Sequence, residues 1–234
     1  MDKGKLYLIP TTIGEGKQKE TLPSIIKQKI KDINIFIVEN VRTARRYIRK
    51  IDKEKDIENT TFYFYGKHQD LNIEQCLLSH ILSGQNIGVL SEAGCPCVAD
   101  PGSKIVEYAH KFQIEVVPLV GPSSILLALI SSGLNGQNFA FNGYLPIDRK
   151  ARMKGIKRLE RLMQKTGQTQ IFMETPYRNN QLTEALLKVC DNTTKLCIAS
   201  DLTLNTESIK LQTIAEWKNT KINIHKKPTI FLIG

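Results

Sequence analysis

No stretch of the 234-residue chain approaches the roughly 18 unbroken apolar residues that a membrane span requires, which argues against an integral membrane protein. The opening residues, Met1-Asp2-Lys3-Gly4-Lys5, run into a short apolar stretch without the h-region or small-residue cleavage site of a signal peptide. Cysteine is sparse and odd in number: Cys76, Cys95, Cys97, Cys190 and Cys197 predict reduced thiols in the cytoplasm. There is no Cys-x-x-Cys and no His pair at ligand spacing, and only Pro96 separates Cys95 from Cys97, so no metal centre is expected. His68, His80, His110 and His225 are scattered and no Gly-x-Ser-x-Gly elbow occurs, which leaves hydrolysis by a triad unsupported. Internal repeats and low-complexity tracts are missing as well. What is present is ordinary globular composition, 41% hydrophobic and 24% charged, in a chain long enough for one large domain or two small ones. A disordered chain is thereby excluded.

Acidic residues are the minority charge: 33 Lys and Arg face 23 Asp and Glu, a formal net charge of +10. The excess is concentrated. Residues 41–55 carry a net +5 and residues 141–170 a net +6, so the remainder of the chain stands at −1. Either segment alone reads more readily as a solvated helix face. Two such segments on a neutral body favour a polyanionic partner, because each cation over a phosphate releases counterions. At helical spacing Arg42, Arg45, Arg46 and Arg49 share a face, with Lys50 beside them, and that leans toward nucleic acid.

Apolar periodicity alternates between strand and helix. Strands are expected at 5–9, 35–38, 62–65, 87–90 and 114–117, and helices at 22–30, 41–51, 73–82 and 103–112. Repeated strand–helix units with apolar strands predict parallel pairing and an α/β fold. Residues 125–130 are apolar on all sides and predict a buried helix at a domain junction. Beyond Ser132-Gly133 the rhythm changes: a short strand at 139–141, then a helix at 148–165 with Met153, Ile156, Leu159 and Met163 on one stripe. A strand at 171–173, a helix at 179–189 and a strand at 196–199 follow. Late strands at 209–214 and 229–233 are expected to be antiparallel or mixed. A boundary near residues 115–122 divides the chain into two α/β lobes, 1–117 and 118–234.

The densest turn chemistry runs from Leu90 through Ser91, Glu92, Ala93, Gly94, Cys95, Pro96 and Cys97 to Asp100-Pro101-Gly102. It follows a buried strand and precedes a helix, which places it at the carboxyl edge of an α/β sheet, where ligands bind. Its small residues let a ligand approach the backbone, and it is long for a purely structural connection. Gly121-Pro122-Ser123-Ser124 also links a strand to a helix and offers hydroxyls and N–H groups to a polar ligand, although ordinary N-caps look the same. Gly14-Glu15-Gly16 is only a fragment of a dinucleotide fingerprint and carries no weight alone. Acid–base candidates stand at strand ends: Glu39 with Arg42 beyond it, Asp100, and Glu174 followed by Tyr177 and Arg178. At each of them a surface residue or cap is as good an explanation as function.

Taken together these segments resemble the ribosomal RNA small-subunit methyltransferase I family of the tetrapyrrole methylase superfamily. The matching pieces are Leu6-Tyr7-Leu8-Ile9-Pro10-Thr11-Thr12-Ile13-Gly14, Val38-Glu39-Asn40-Val41-Arg42, Val89 to Pro96 with Asp100-Pro101-Gly102, and Val117-Pro118 with Gly121 to Ser124. Phe141-Asn142-Gly143-Tyr144-Leu145-Pro146 and Met173-Glu174-Thr175-Pro176-Tyr177-Arg178 complete the set, in family order. The resemblance implies S-adenosylmethionine (SAM) held in a cleft between two α/β lobes, commonly in a homodimer. It also implies methylation of a cytidine ribose 2′-hydroxyl in small-subunit ribosomal RNA. Carried over by position, cofactor contacts fall on Pro10, Ser91, Glu92, Ala93, Gly94, Pro96, Ser123 and Ser124. Met173, Glu174, Pro228 and Thr229 are added more weakly.

Three departures stand out. The first loop reads Thr12-Ile13-Gly14-Glu15-Gly16 in place of Pro-Ile-Gly-Asn-Leu, and Glu-Asp-Thr-Arg becomes Glu39-Asn40-Val41-Arg42 with one carboxylate fewer. The family's His-Asn-Glu motif is only loosely matched by His68-Gln69-Asp70. These mark a divergent subgroup whose cofactor loops are better kept than its substrate side. An RNA 2′-O-methyltransferase uses both basic segments, with Glu39 or Asp100 handling the acceptor proton and Arg42 and Arg178 holding phosphates. A small-molecule tetrapyrrole methylase leaves the charge without a role. A binding protein that has lost catalysis accounts for the altered first loop and Asn40.

Overall fold

The computed structural model describes residues 3–15, 18–65 and 72–234, and they form two compact units, Met1–Ser123 and Ser124–Gly234. The first unit runs β1 (Leu6–Ile9), α1 (Gln18–Thr21), α2 (Ser24–Asp32), β2 (Ile35–Val38), α3 (Val41–Ile51), β3 (Thr61–Phe64), α4 (Ile73–Ile81), β4 (Ile87–Leu90), α5 (Ser103–Lys111) and β5 (Val116–Pro118). Its five strands are all parallel, in the order β3-β2-β4-β1-β5. The apolar runs of β2 and β4 are buried at every position because helices cover both faces of the sheet. Alternation sends Leu6, Ile35, Ile37, Ile87 and Val89 toward Leu77 and Ile81 of α4 and Ile105 of α5. Ile9, Phe36, Val38 and Leu90 pack instead with Ile26 and Ile30 of α2 and Ala44 and Ile48 of α3.

The second unit runs α6 (Ser124–Ser131), β6 (Phe139–Tyr144), α7 (Arg149–Thr166), β7 (Thr169–Met173), α8 (Asn179–Val189), β8 (Lys195–Ser200), β9 (Ser208–Thr213), α9 (Ile214–Trp217) and β10 (Thr229–Ile233). Its sheet order is β6-β7-β10-β8-β9. Only the β6–β7 pair is parallel, and both late strands, β9 and β10, run antiparallel to β8 between them. Ile156 and Leu159 of α7, Leu182 and Leu186 of α8 and Trp217 of α9 cover Phe172, Leu196, Ile198 and Phe231. The Trp217 indole N–H donates to the Leu196 carbonyl at 2.8 Å, so this large ring is buried with its polar atom satisfied.

Several boundaries differ from those expected, each for a local reason. The strand expected to end at 214 stops at Thr213, whose side chain and that of Glu216 form a capping box, so Ile214 starts α9. The first helix of 22–30 begins at Ser24 because Pro23 takes the N-cap position. The strand from 139 continues to Tyr144 across a break in register, with Gly143 at φ +63°. The segment 125–130 is a helix, but not one buried all round: Ile125, Ala128 and Leu129 are buried, whereas Leu126 and Ile130 are 52% and 77% exposed. A helix of uniform apolar composition covers only the side its neighbours reach. Among the described residues no helix is long and apolar enough to cross a membrane.

Candidate active site

In the first unit β1 and β4 are neighbours, yet the chain leaving β1 returns to β2 on one side while the chain leaving β4 returns to β5 on the other. The first connection passes over β4 and the second over β1, so the direction of winding reverses at this pair, and ligands bind α/β sheets at the carboxyl ends of strands where it does. A cleft of about 260 Å³ lies there, lined by Thr11, Thr43, Arg46, Tyr47, Ser91 and Glu92 among others.

The loops around it are tied together by their backbones. The Thr11 N–H donates to the Gly94 carbonyl at 2.9 Å, and the Ser91 hydroxyl donates to the same oxygen at 2.7 Å. Gly94 stands at φ +73°, where a side chain is strained. A Cβ on Gly121 would sit 2.2 Å from the Pro10 Cβ, so the loop after β5 can close on the loop after β1 only with glycine there. The Cys95 thiol lies 3.5 Å from the Gly121 carbonyl and 3.4 Å from that of Pro122. The Tyr47 hydroxyl donates to the Pro10 carbonyl at 2.8 Å and clamps α3 to the same loop; burial pushes its pKa up.

Asp100 serves this loop. Its Oδ1 accepts from the N–H groups of Cys97 and Gly102 at 3.0 and 2.8 Å, and its Oδ2 from Cys97 at 2.9 Å. These bonds hold Cys97 at φ +67° and Ala99 at φ +63°, conformations that non-glycine residues rarely adopt. Burial, with Asp100 beside it, pushes the Cys97 thiol up to about 11. It is therefore a neutral packing group near pH 7 rather than a nucleophile. Among the described residues no cluster of His, Cys, Asp and Glu could hold a metal ion.

Glu39 follows β2 and is half-buried, with the Glu92 N–H 3.4 Å from its Oε1. Burial pushes its pKa up, and the charges of Asp100 and Glu92 add to that, while the Glu92 N–H opposes it. Asn40 caps α3, its Oδ1 accepting from the N–H groups of Arg42 and Thr43 at 2.9 and 3.2 Å. The missing carboxylate at this position thus leaves the helix start intact. The Thr43 hydroxyl donates to Glu92 Oε1 at 2.5 Å, joining α3 to the long loop.

Of the sequence-predicted residues, Pro10, Glu39, Arg42, Ser91, Glu92, Ala93, Gly94, Pro96, Asp100 and Ser123 belong to the first unit, at or beyond the carboxyl ends of its strands. Ser124, Met173, Glu174, Arg178, Pro228 and Thr229 belong to the second. There Met173 pairs with Ile230, so the end of β7 and the start of β10 share one sheet edge with Thr229 and Pro228. Buried Glu174 accepts from Arg178 at 3.0 and 2.6 Å and from the Thr175 N–H at 2.7 Å, which commits this arginine to an ion pair. Buried Asn179 donates to the carbonyls of Ile224 and Lys227 and to the Thr229 hydroxyl, fixing the start of β10. Gly16 and His68-Gln69-Asp70 lie outside the described residues.

Sequence reading missed Thr11, Thr43 and Tyr47 as lining residues. The only signal was for Tyr47, an aromatic residue on the inward face of an otherwise basic helix. Thr11 matters most: its Oγ1 is buried at the crevice without a hydrogen-bond partner among the described residues. Such an atom, beside a backbone opened by glycines, fits a polar organic ligand better than an empty packing role. The same features fit the adenosyl cofactor that the motifs imply.

The basic segment of α3 forms a second feature beside the cleft. Arg42, Arg45, Arg46, Arg49, Lys50 and Lys53 line a groove of about 940 Å³, and Arg46 and Lys50 line the cleft as well. Its one acid, Glu58, lies 3.9 Å from Arg49. Lys55, counted with this segment by charge alone, is buried instead and donates to the carbonyls of Lys31 and Ile33 and to Asn34.

Comparison with known proteins identifies the family and the fold. The family described as Tetrapyrrole (Corrin/Porphyrin) Methylases matches residues 13–218. The ribosomal RNA small subunit methyltransferase I of Vibrio cholerae is 32% identical over 212 residues, 90% of this chain and 69% of the relative. Among solved structures, the methyltransferase CobJ superposes with a TM-score of 0.63 at 16% identity, over 99% of this chain and 94% of its own. The uroporphyrin-III C-methyltransferase of Thermus thermophilus, complexed with S-adenosylhomocysteine, does so with a TM-score of 0.57 at 17% identity, over 99% and 97%. At these identities the two structures establish the fold.

Proposed function

The chain belongs to the tetrapyrrole methylase family, among its ribosomal RNA small-subunit methyltransferase I relatives, and from that premise we infer a SAM-dependent methyltransferase that methylates a cytidine ribose 2′-hydroxyl in small-subunit ribosomal RNA. One observation carries the choice of acceptor: Arg46 and Lys50 line both the switch-point cleft and the basic groove of α3. A polyanion lying along that groove is led to the cleft. A tetrapyrrole acceptor gives the groove no work.

SAM, when bound, supplies an electrophilic methyl group on a sulfonium. The chain's own residues do the rest. Pro10, Ser91, Glu92, Ala93, Gly94, Pro96 and Ser123 form the cofactor side of the first unit, with Thr11 Oγ1 available to a polar group of the ligand. A ribose hydroxyl is a weak nucleophile near neutral pH, so an oriented base is useful. Glu39 is the group we assign to take that proton at its carboxylate, because burial and its acidic neighbours raise its basicity. Asp100 is committed to backbone N–H groups and holds the loop, and Arg178 holds Glu174. Positioning supplies the remainder of the barrier reduction.

We place the enzyme in the cytoplasm, as its free cysteines suit. We also expect a homodimer, for which the exposed Leu126 and Ile130 of α6 offer an apolar surface. Sedimentation that returns a monomer at every concentration would remove the dimer. Incubation with labelled SAM and undermethylated small ribosomal subunits tests the activity itself. Label on a single cytidine, resistant to alkaline cleavage at its 3′ side, is the expected result. Label transferred to a porphyrinogen and not to RNA overturns it.

A further inference from the structure

A second cationic feature lies within the second unit, and none of the site residues named above lines it. A groove of about 450 Å³ separates α7 from α8. Arg149, Arg152 and Met153 line it from the first two turns of α7, and Gln181, Glu184 and Lys188 from one face of α8. Arg152 is only 6% exposed. Its Nη1 donates to the Ile147 carbonyl at 3.0 Å, but its Nε is buried with no acceptor among the described residues. Nor does Arg149, Arg152 or Lys188 form an ion pair among the described residues. A buried guanidinium is costly unless an anion or a full set of acceptors compensates it, and the described residues provide neither. Glu184 is the only acid of the lining, so three cations face one carboxylate. The Asp148 carboxylate points into the helix start, accepting from the Ala151 N–H at 2.8 Å. The groove also meets the N-terminal end of an 18-residue helix, where backbone dipoles favour negative charge.

We propose that this groove is a phosphate-binding site, in which the planar fork of Arg152 takes two oxygens while Arg149 and Lys188 neutralise the charge. Its occupant is a phosphodiester of the RNA substrate, a step that rests on the function proposed above. The second unit then grips the RNA by a route independent of α3.

The test uses the whole protein. Anisotropy of a short fluorescein-labelled single-stranded RNA across a salt series gives affinity and its salt slope, and calorimetry with pyrophosphate reads free-phosphate binding. Arg149→Gln/Lys188→Gln alters only exposed side chains. It is expected to weaken RNA binding about tenfold and to lower the log–log salt slope by about 0.7 for each phosphate no longer neutralised, with SAM affinity unchanged. Arg152→Lys keeps the charge but loses the fork, and is expected to weaken RNA binding while largely preserving the slope. If RNA binding is unaltered in these variants while pyrophosphate binding is lost, the phosphate site stands and a free ligand replaces RNA as its occupant. If the wild type binds pyrophosphate here but no RNA at all, the site stands and the RNA methyltransferase assignment falls. RNA and pyrophosphate binding both unchanged in Arg149→Gln/Lys188→Gln and in Arg152→Lys would overturn the site.

Discussion

Burial and two neighbouring carboxylates make Glu39 a stronger base than a carboxylate in water, and they do so at a cost to the fold. A folded-state pKa above the unfolded one means that the charged form is disfavoured in the native protein. The stability attached to this group is therefore present at low pH and lost as pH rises through the raised value. Glu39→Gln removes the charge, so it should leave the melting temperature at neutral pH unchanged or slightly higher, with the difference from wild type vanishing in acid. Single-turnover methylation should fall by about 100-fold or more, as for loss of a general base, and the acidic limb of the pH–rate profile should disappear. Asp100→Asn should behave differently, lowering SAM affinity through the loop it braces. Full single-turnover rates in both variants would remove both residues from the acid–base role. Glu39 was visible in sequence because it stands where a strand gives way to a turn, and Asp100 because it sits late in a loop too long for a mere connection. Thr11 and Tyr47 were not, since an orphaned hydroxyl and a clamp onto Pro10 exist only once β1, β4 and α3 are side by side.

The helix that carries both the cap and the basic groove, α3, was legible to its ends as a basic helix at 41–51, whereas its buried face, Ala44 and Ile48, and its cap, Asn40, show only in the structure. Asn40 is also where the sequence departs from its family, and the cap explains why the departure is tolerated. Asn40→Ala should cost about 1 kcal/mol in urea unfolding, whereas Asn40→Asp should be close to neutral because either side chain can accept from N2 and N3. A negligible cost for Asn40→Ala would mean that tertiary packing alone fixes this end of the helix. The parallel strands were equally legible from their unbroken apolar runs. The exposed side of α6 was not, because a helix that is apolar all round carries no mark of which neighbours it has. The start of β10 depends on Asn179, a polar residue some 50 positions earlier, whose buried hydrogen bonds no local pattern announces.

For the whole molecule, the formal charge of +10 overstates some cations and understates the grouping of others. Lys55 is buried against carbonyls and its pKa is pushed down by burial. Lys157 is bound to Glu160 and Asp191 at 2.8 and 3.3 Å. Neither can meet a polyanion as a free surface charge. Arg42, Arg45 and Arg49 can, since all are exposed on α3 and, among the described residues, only Arg49 forms an ion pair, with Glu58 at 3.9 Å. Counterion release depends on the phosphates neutralised rather than on net charge, so the two bases for counting give different predictions. Substituting Lys19, Lys104 and Lys111, remote in sequence from both basic segments, by Gln removes the same formal charge as Arg42→Gln/Arg45→Gln/Arg49→Gln. If the α3 groove is the track, the arginine triple should lower the log–log salt slope of RNA binding by about 2, at about 0.7 per single-stranded phosphate, and the lysine triple should hardly change it. Equal losses from both triples would mean that RNA responds to the field of the whole protein, and the groove would lose its claim to guide substrate toward Glu39.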